Sequence, residues 1–309
     1  MNLEPGEARL VDWTAAEYFA ADQFMSRSQL SDLPDNPAVF AAKERGEMAT
    51  KVTKQMQFGT YVHLALLEPT EWERRLFDPE PAKPVGARGN AKKKDPEGFK
   101  LWVQWKTELS EWEARVEGSP DAIVLDADER NEVDACVEAL RTHYDPDPGV
   151  LCIADLFEAE GLNEQTVIWR CPDPDVLIRV RIDRLVFLDP GTVVVFDAKA
   201  TFDPSPRAFG LSIARLGLDR QAAMYTDAVS AAFPDKAVHF VFGPVRSRPP
   251  YEAALYELEG AEYETGRRKY TNALREYVRR RDANDWLAPW QRGINKAEMP
   301  EWAHKEETT

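Results

Sequence analysis

Cysteine is scarce, with Cys136, Cys152 and Cys171 the only three in 309 residues. The odd count excludes a fully paired disulfide framework. No two of them stand at metal-ribbon spacing, so a zinc ribbon and an iron–sulfur cysteine set also lack their ligands. Buried, inert thiols are expected. Long apolar runs are missing too: no stretch approaches the roughly 18 to 20 consecutive apolar residues that span a bilayer. The N-terminal MNLEPGEARLVDW has no basic-then-apolar layout of a signal peptide. The expectation is a cytoplasmic protein without a membrane partner.

Positive charge is in deficit, at 39 Lys and Arg against 54 Asp and Glu, a net of −15. Taken as an average, that argues against a phosphate-rich partner. The charge is segregated, however. Residues 107–160 hold sixteen acids and three bases, whereas Lys83 to Lys106 holds seven bases against Asp95 and Glu97. A second block, Arg267 to Arg281, has seven bases and one acid, Glu276. A negative protein can therefore carry positive surfaces, although either block alone reads equally as a solvated face.

Hydrophobic periodicity divides the chain. Helical spacing is seen in SQLSDLPDNPAVFAAKERG, capped by Ser28 and broken into two pieces by Pro34 and Pro37. It recurs in QFGTYVHLALLEPTEWERRLF, which Pro69 stops or kinks, over Phe99 to Val116, and over Asp126 to His143. Residues 79–98, rich in Pro, Gly and Lys, read as an exposed loop. From about residue 151 the period becomes two. LNEQTVIWRC, VLIRVRIDRLVFL and TVVVFDAKAT read as successive antiparallel strands in a mixed sheet. A helix over LGLDRQAAMYTDAVSAAF, strands at AVHFVFG and YEAALYELE, and a helix from Ala261 to Arg281 follow. Strands packed between helices make the class α/β or α+β.

If the turn after VLIRVRIDRLVFL centres on Pro190, Asp183 falls opposite Asp197, with Lys199 one diagonal away. Two facing carboxylates repel and are costly to desolvate unless a cation lies between them. Mg²⁺ bound through such acids completes its shell with waters and phosphate oxygens, and a nearby lysine can serve an attacking water or the transition-state charge. The implied chemistry is phosphodiester hydrolysis. An isolated D-x-K is more often an exposed ion pair, with Asp183 meeting Arg181 or Arg184. The apolar run TVVVF before Asp197 favours a buried strand, where a lone acid is expensive.

A strand acid, a turn, an apolar strand ending in D-A-K, and a helix holding Gln221-Ala-Ala-Met-Tyr225 resemble the PD-(D/E)XK nuclease superfamily in its RecB-like branch with the Q-x-x-x-Y motif. FGTYVHLALLEP, GNAKKKDPEGF, RVRIDRL, FDAKAT and LDRQAAMYTDAV stand in the order of RecE-like exonucleases, the exonuclease VIII group, over roughly residues 25 to 290. The resemblance implies an α/β fold with a restriction-endonuclease-like core: a mixed central sheet flanked by helices, with an N-terminal helical portion. An N-terminal extension over 1–24 precedes a single nuclease domain over 25–290, composed of a helical part over 25–150, a sheet core over 151–260 and a C-terminal helix over 261–285. A tail over 291–309, expected to be disordered, follows.

Residue by residue, the resemblance makes Asp183 and Asp197 metal ligands and Lys199 the catalytic lysine. It makes His63 a further metal ligand, assigns Glu164 in LNEQTVIW as the preceding strand acid, and places Gln221 and Tyr225 beside the site. Ala200 departs from the hydroxyl residue frequent there. His63 without the resemblance reads as a core histidine. A ligating imidazole suits Mn²⁺ better than Mg²⁺, and either ion is the implied cofactor. Arg181 and Arg179 are candidates for phosphate contacts or cross-strand partners, and Lys92, Lys93 and Lys94 for tracking a DNA backbone.

The implied activity is a metal-dependent exodeoxyribonuclease that digests one strand of linear double-stranded DNA from the 5′ end. It leaves a 3′ single-stranded tail for a single-strand annealing protein, with the subunits in a homo-oligomeric ring. The rivals are a catalytically inactive DNA-binding or regulatory protein on the same fold, and a RecB-like nuclease of opposite polarity.

Overall fold

Strand-forming residues concentrate between 161 and 246, and there the computed structural model, which describes residues 2–300 except Asp35, Thr50, Ala91 and Pro148, builds its main sheet. The strands are β1 (Ala8–Val11), β2 (Leu76–Phe77), β3 (Ile123–Val124), β4 (Gly161–Pro172), β5 (Asp175–Asp189), β6 (Thr192–Thr201), β7 (Ala237–Arg246) and β8 (Tyr256–Glu257). The helices are α1 (Ala15–Ala20), α2 (Arg27–Asp32), α3 (Pro37–Glu44), α4 (Lys54–Leu67), α5 (Pro69–Arg75), α6 (Pro96–Glu117), α7 (Ala127–Arg141), α8 (Ile153–Glu158), α9 (Pro206–Leu216), α10 (Leu218–Ala232) and α11 (Gly260–Ala283).

Six strands lie in the order β1-β4-β5-β6-β7-β8. All neighbours are antiparallel except β6 and β7, which run parallel from Thr192↔Ala237 to Thr201↔Arg246. A parallel pair needs a crossover, which α9 and α10 provide. One face of the sheet packs Val193, Val195 and Phe240 against Ala222, Met224 and Val229 of α10 and Leu274 of α11. The other packs Val194, Phe196 and Val241 against Val62 and Leu66 of α4, Val133 of α7 and Ile153 of α8. The fold is therefore α/β, a restriction-endonuclease-like mixed sheet with helices on both faces.

Several elements differ from the sequence expectation. The first 24 residues contribute β1, an edge strand paired antiparallel with β4, a four-residue run too short to register as periodic. Ser26, not Ser28, caps α2: it accepts from the Gln29 N–H while the Gln29 side chain accepts from the Ser26 N–H. Pro37 opens α3 behind an Asn36 cap. Between Phe202 and α10 stands α9, which had not been expected; Gly217, at φ 61°, separates the two helices in the left-handed region. Of YEAALYELE only Tyr256 and Glu257 form a strand, paired with Phe242 and Val241, while Ala253 makes an isolated bridge to Val245. The loop at 79–98 ends early, α6 starting at Pro96. The indole N–H groups of Trp105 and Trp112 hold the loop by donating to the carbonyls of Pro81 and Asp78, both at 2.8 Å. The final residues of the expected tail, 301–309, lie outside the described residues.

Candidate active site

The hairpin of β5 and β6 pairs Arg184 with Phe196 and Leu185 with Val195, absorbing a bulge between Phe187 and Asp189. One step further, Asp183 stands across from Asp197, and there the ladder between the two strands ends. The Asp183 carboxylate takes the place of the missing main-chain acceptor: Oδ2 accepts the Ala198 N–H at 2.9 Å.

A second irregularity sits on the other side of β5. The β4–β5 ladder runs through Asn163↔Arg184 and Gln165↔Ile182, so Glu164 faces Asp183 without forming a rung. Glu164 has φ 51°. A left-handed non-glycine residue costs of order 1–2 kcal/mol, so its surroundings must hold it there. They do so through its neighbours. Asn163 Nδ2 donates to the Leu67 carbonyl of α4 at 2.7 Å, and Asn163 Oδ1 accepts from Arg184 at 2.6 Å. Gln165 Nε2 donates to the Val11 carbonyl of β1 at 2.9 Å. The same break shifts the alternation of β5: Val176, Ile178, Val180 and Ile182 enter the α10-side core, and Leu185 follows three residues later instead of two.

His63 arrives from α4. Its Nε2 lies 2.7 Å from the Ala198 carbonyl and its Nδ1 3.3 Å from Asp183 Oδ2. A carbonyl can only accept, so Nε2 carries the proton and a neutral ring leaves the Nδ1 lone pair toward the acids. This is the tautomer a metal-binding histidine needs, fixed by a main-chain acceptor. One donor atom each from His63, Glu164 and Asp183 lie within 4.8 Å of one another. Burial pushes the Asp183 carboxyl above its usual range, with the charge of Asp197 adding to it and His63 and Lys199 opposing it. Burial likewise raises Glu164, reinforced by Asp183 and opposed by Arg181. One imidazole nitrogen and two carboxylates that resist ionising together fit a divalent cation.

Asp197, 2% exposed, stands beside this set rather than in it. The donors that converge are His63, Glu164 and Asp183, with Asp197 adjacent to them, and Glu164 is more central than its plain sequence context suggests. Gln221 Nε2 donates to Asp197 Oδ1 at 2.5 Å from α10, while the Lys199 ammonium forms an ion pair with Oδ2 and donates to the Ala198 carbonyl at 3.3 Å. Tyr225, one turn beyond Gln221, is buried edge-on against Phe240; burial raises its hydroxyl well above the ordinary range.

The arginines of this region make mostly internal contacts, and Arg181 is a cross-strand partner of Glu164. Arg184 donates to the carbonyls of Leu156 and Ala159, both at 2.9 Å, and lies over the Phe157 ring. Arg179, 4% exposed, donates to the Ala21 carbonyl and sits 5.0 Å from the centre of the Tyr18 ring, so burial removes it from any phosphate. Arg181 donates to Glu164 at 2.5 Å and to the Trp13 carbonyl at 3.1 Å. Lys92, Lys93 and Lys94 are exposed, with Lys92 over the Phe99 ring. On α11, by contrast, Arg267 pairs with Asp227, Lys269 with Asp219, and Arg279 and Arg280 with Glu276, which neutralises most of that block. Sequence reasoning missed Asn163, Gln165 and the main-chain groups of Ala198; their roles are hydrogen bonds to distant carbonyls or polar atoms and leave no local signal.

The fold is that of the PD-(D/E)XK nuclease superfamily. Residues 26–286 match the family described as a PDDEXK-like domain of unknown function (DUF3799), and the chain belongs to that family. Its fold is similar to that of a crystallised protein of Eubacterium rectale described as a putative exonuclease, with a TM-score of 0.55, 10% identity, and coverage of 96% of this chain and 99% of the other. No curated protein matches the chain. Among the described residues no helix is long and apolar enough to cross a membrane.

Proposed function

We propose that this chain is a divalent-metal-dependent nuclease that hydrolyses phosphodiester bonds in DNA, acting as an exodeoxyribonuclease on one strand of a linear duplex. The observation that carries the reading is the convergence of His63, Glu164 and Asp183 next to a buried Asp197 that pairs with the half-buried Lys199. A divalent cation held by those three residues would neutralise the acids and supply Lewis-acid activation of the phosphate and of a water. Mn²⁺ is favoured over Mg²⁺ by the imidazole. Lys199, held at the site by Asp197, offers a mobile ammonium for proton movement or for charge developing on the phosphate. Gln221 keeps Asp197 from turning away. In the same reading, digestion runs from 5′ ends, the 3′ single-stranded tail passes to a single-strand annealing protein, and the subunits form a ring.

Incubating linear duplex, end-labelled on each strand in turn, with Mg²⁺ and with Mn²⁺ tests this. Metal-dependent shortening of one strand is expected, and the label lost first reports polarity. Duplex left intact with both ions would overturn the proposal.

A further inference from the structure

The geometry points to Arg181 as a positioning residue for the metal site, one that aims the Glu164 carboxylate rather than holding a DNA phosphate; this rests on the nuclease reading above. Both side chains are largely buried, at 16% and 19% exposure. The fork is spent in two directions: Nε donates to Glu164 Oε2 at 2.5 Å and NH1 to the Trp13 carbonyl at 3.1 Å. Two of its five N–H donors are thereby committed inside the protein, and the largely buried side chain is turned toward Glu164 rather than toward solvent. Glu164, in turn, needs an external hold. Its backbone is left-handed, it forms no rung, and Asp183 brings a second carboxylate into the same pocket. Arg181 supplies the opposite charge and a fixed direction, leaving the other Glu164 oxygen for a cation.

The anchor itself lies outside the 26–286 segment that defines the family. Trp13 follows β1, whose Val11 carbonyl accepts from Gln165. The N-terminal segment thus braces Glu164 from two sides, through Gln165 next to it and through Arg181 on the neighbouring strand. That gives the edge strand a role in setting the metal ligand.

The test is Mn²⁺ binding, followed by electron paramagnetic resonance of free manganese, on the full chain and on Arg181→Ala and Arg181→Lys. Binding of a linear duplex is measured in parallel without metal. The Mn²⁺ dissociation constant is expected to rise about 10- to 100-fold in Arg181→Ala, the range for residues that orient a ligand. Arg181→Lys, which keeps the charge and loses the fork, should fall between, with metal-free duplex affinity unchanged in both. Should Arg181→Ala fail to fold, Arg181→Lys decides alone. Unchanged Mn²⁺ affinity with weakened duplex binding would overturn the proposal and restore Arg181 as a phosphate contact. If the unaltered protein bound no Mn²⁺, the nuclease reading itself would fall.

Discussion

At the scale of single residues, the site separates groups that would hold a cation from groups that would act on the substrate. Lys199 belongs to the second class, since its charge is held by Asp197 and lies outside the three-donor set. Lys199→Met should therefore lower turnover about 10²- to 10³-fold, the cost of losing one charge-stabilising donor. Mn²⁺ and duplex affinity should stay as they were; turnover within a few-fold of normal would remove Lys199 from the chemistry. The carboxyls of Asp183 and Glu164 are raised mainly by burial, so their protonated forms favour the folded state and the metal-free protein loses stability as pH rises through that raised range. A cation requires the ionised forms. Mn²⁺ binding just above the ordinary carboxylate range should release protons, visible by calorimetry in buffers of different ionisation enthalpy. A heat independent of buffer would contradict the shifts.

At the scale of elements, α10 reaches the sheet because α11 crosses it closely. A Cβ at Gly266 would overlap the Asp219 carbonyl, and Lys269 of α11 holds the Asp219 side chain. Gly266→Ala should destabilise the protein by about 1–3 kcal/mol and lower activity with it, because Gln221 and Tyr225 ride on the displaced helix. An unchanged melting temperature would show that the crossing can relax. The three central strands were legible because each keeps its alternation for most of its length. The facing of Asp183 and Asp197 was legible only in part: the Pro190-Gly191 turn pairs Asp189 with Thr192, and a bulge between Phe187 and Asp189, which nothing local announces, supplies the one-residue offset that sets the two acids across from each other. Glu164 was less so. The polar run Asn163-Glu164-Gln165 breaks the alternation, and what holds it is a set of hydrogen bonds to Leu67 and Val11, about 100 and 150 residues away in sequence. The strand β1 has no local signature for the same reason: four residues are ordered by a partner more than 150 positions later.

At the scale of the whole molecule, the two basic blocks that look equivalent in sequence are not. On α11 most cations already have carboxylate partners, whereas Lys92, Lys93 and Lys94 are exposed. Replacing the three lysines with glutamine should weaken duplex binding and flatten its dependence on log salt by about 0.9 per lost phosphate contact. Arg275→Gln and Arg279→Gln on α11 should leave the slope alone. Equal effects from both sets would mean that α11 exchanges its internal partners for DNA.

The parallel pairing of β6 with β7 carries a further consequence. Two neighbouring strands that point the same way oblige the polypeptide to travel back across the sheet, and α10 makes that journey directly over Asp197. The amide that steadies the carboxylate is thus part of the very connection that brings β7 alongside β6. Severing the chain between Asp203 and Ser205 would cut the route joining Lys199 to Gln221, while severing it at Gly191 would leave that route whole.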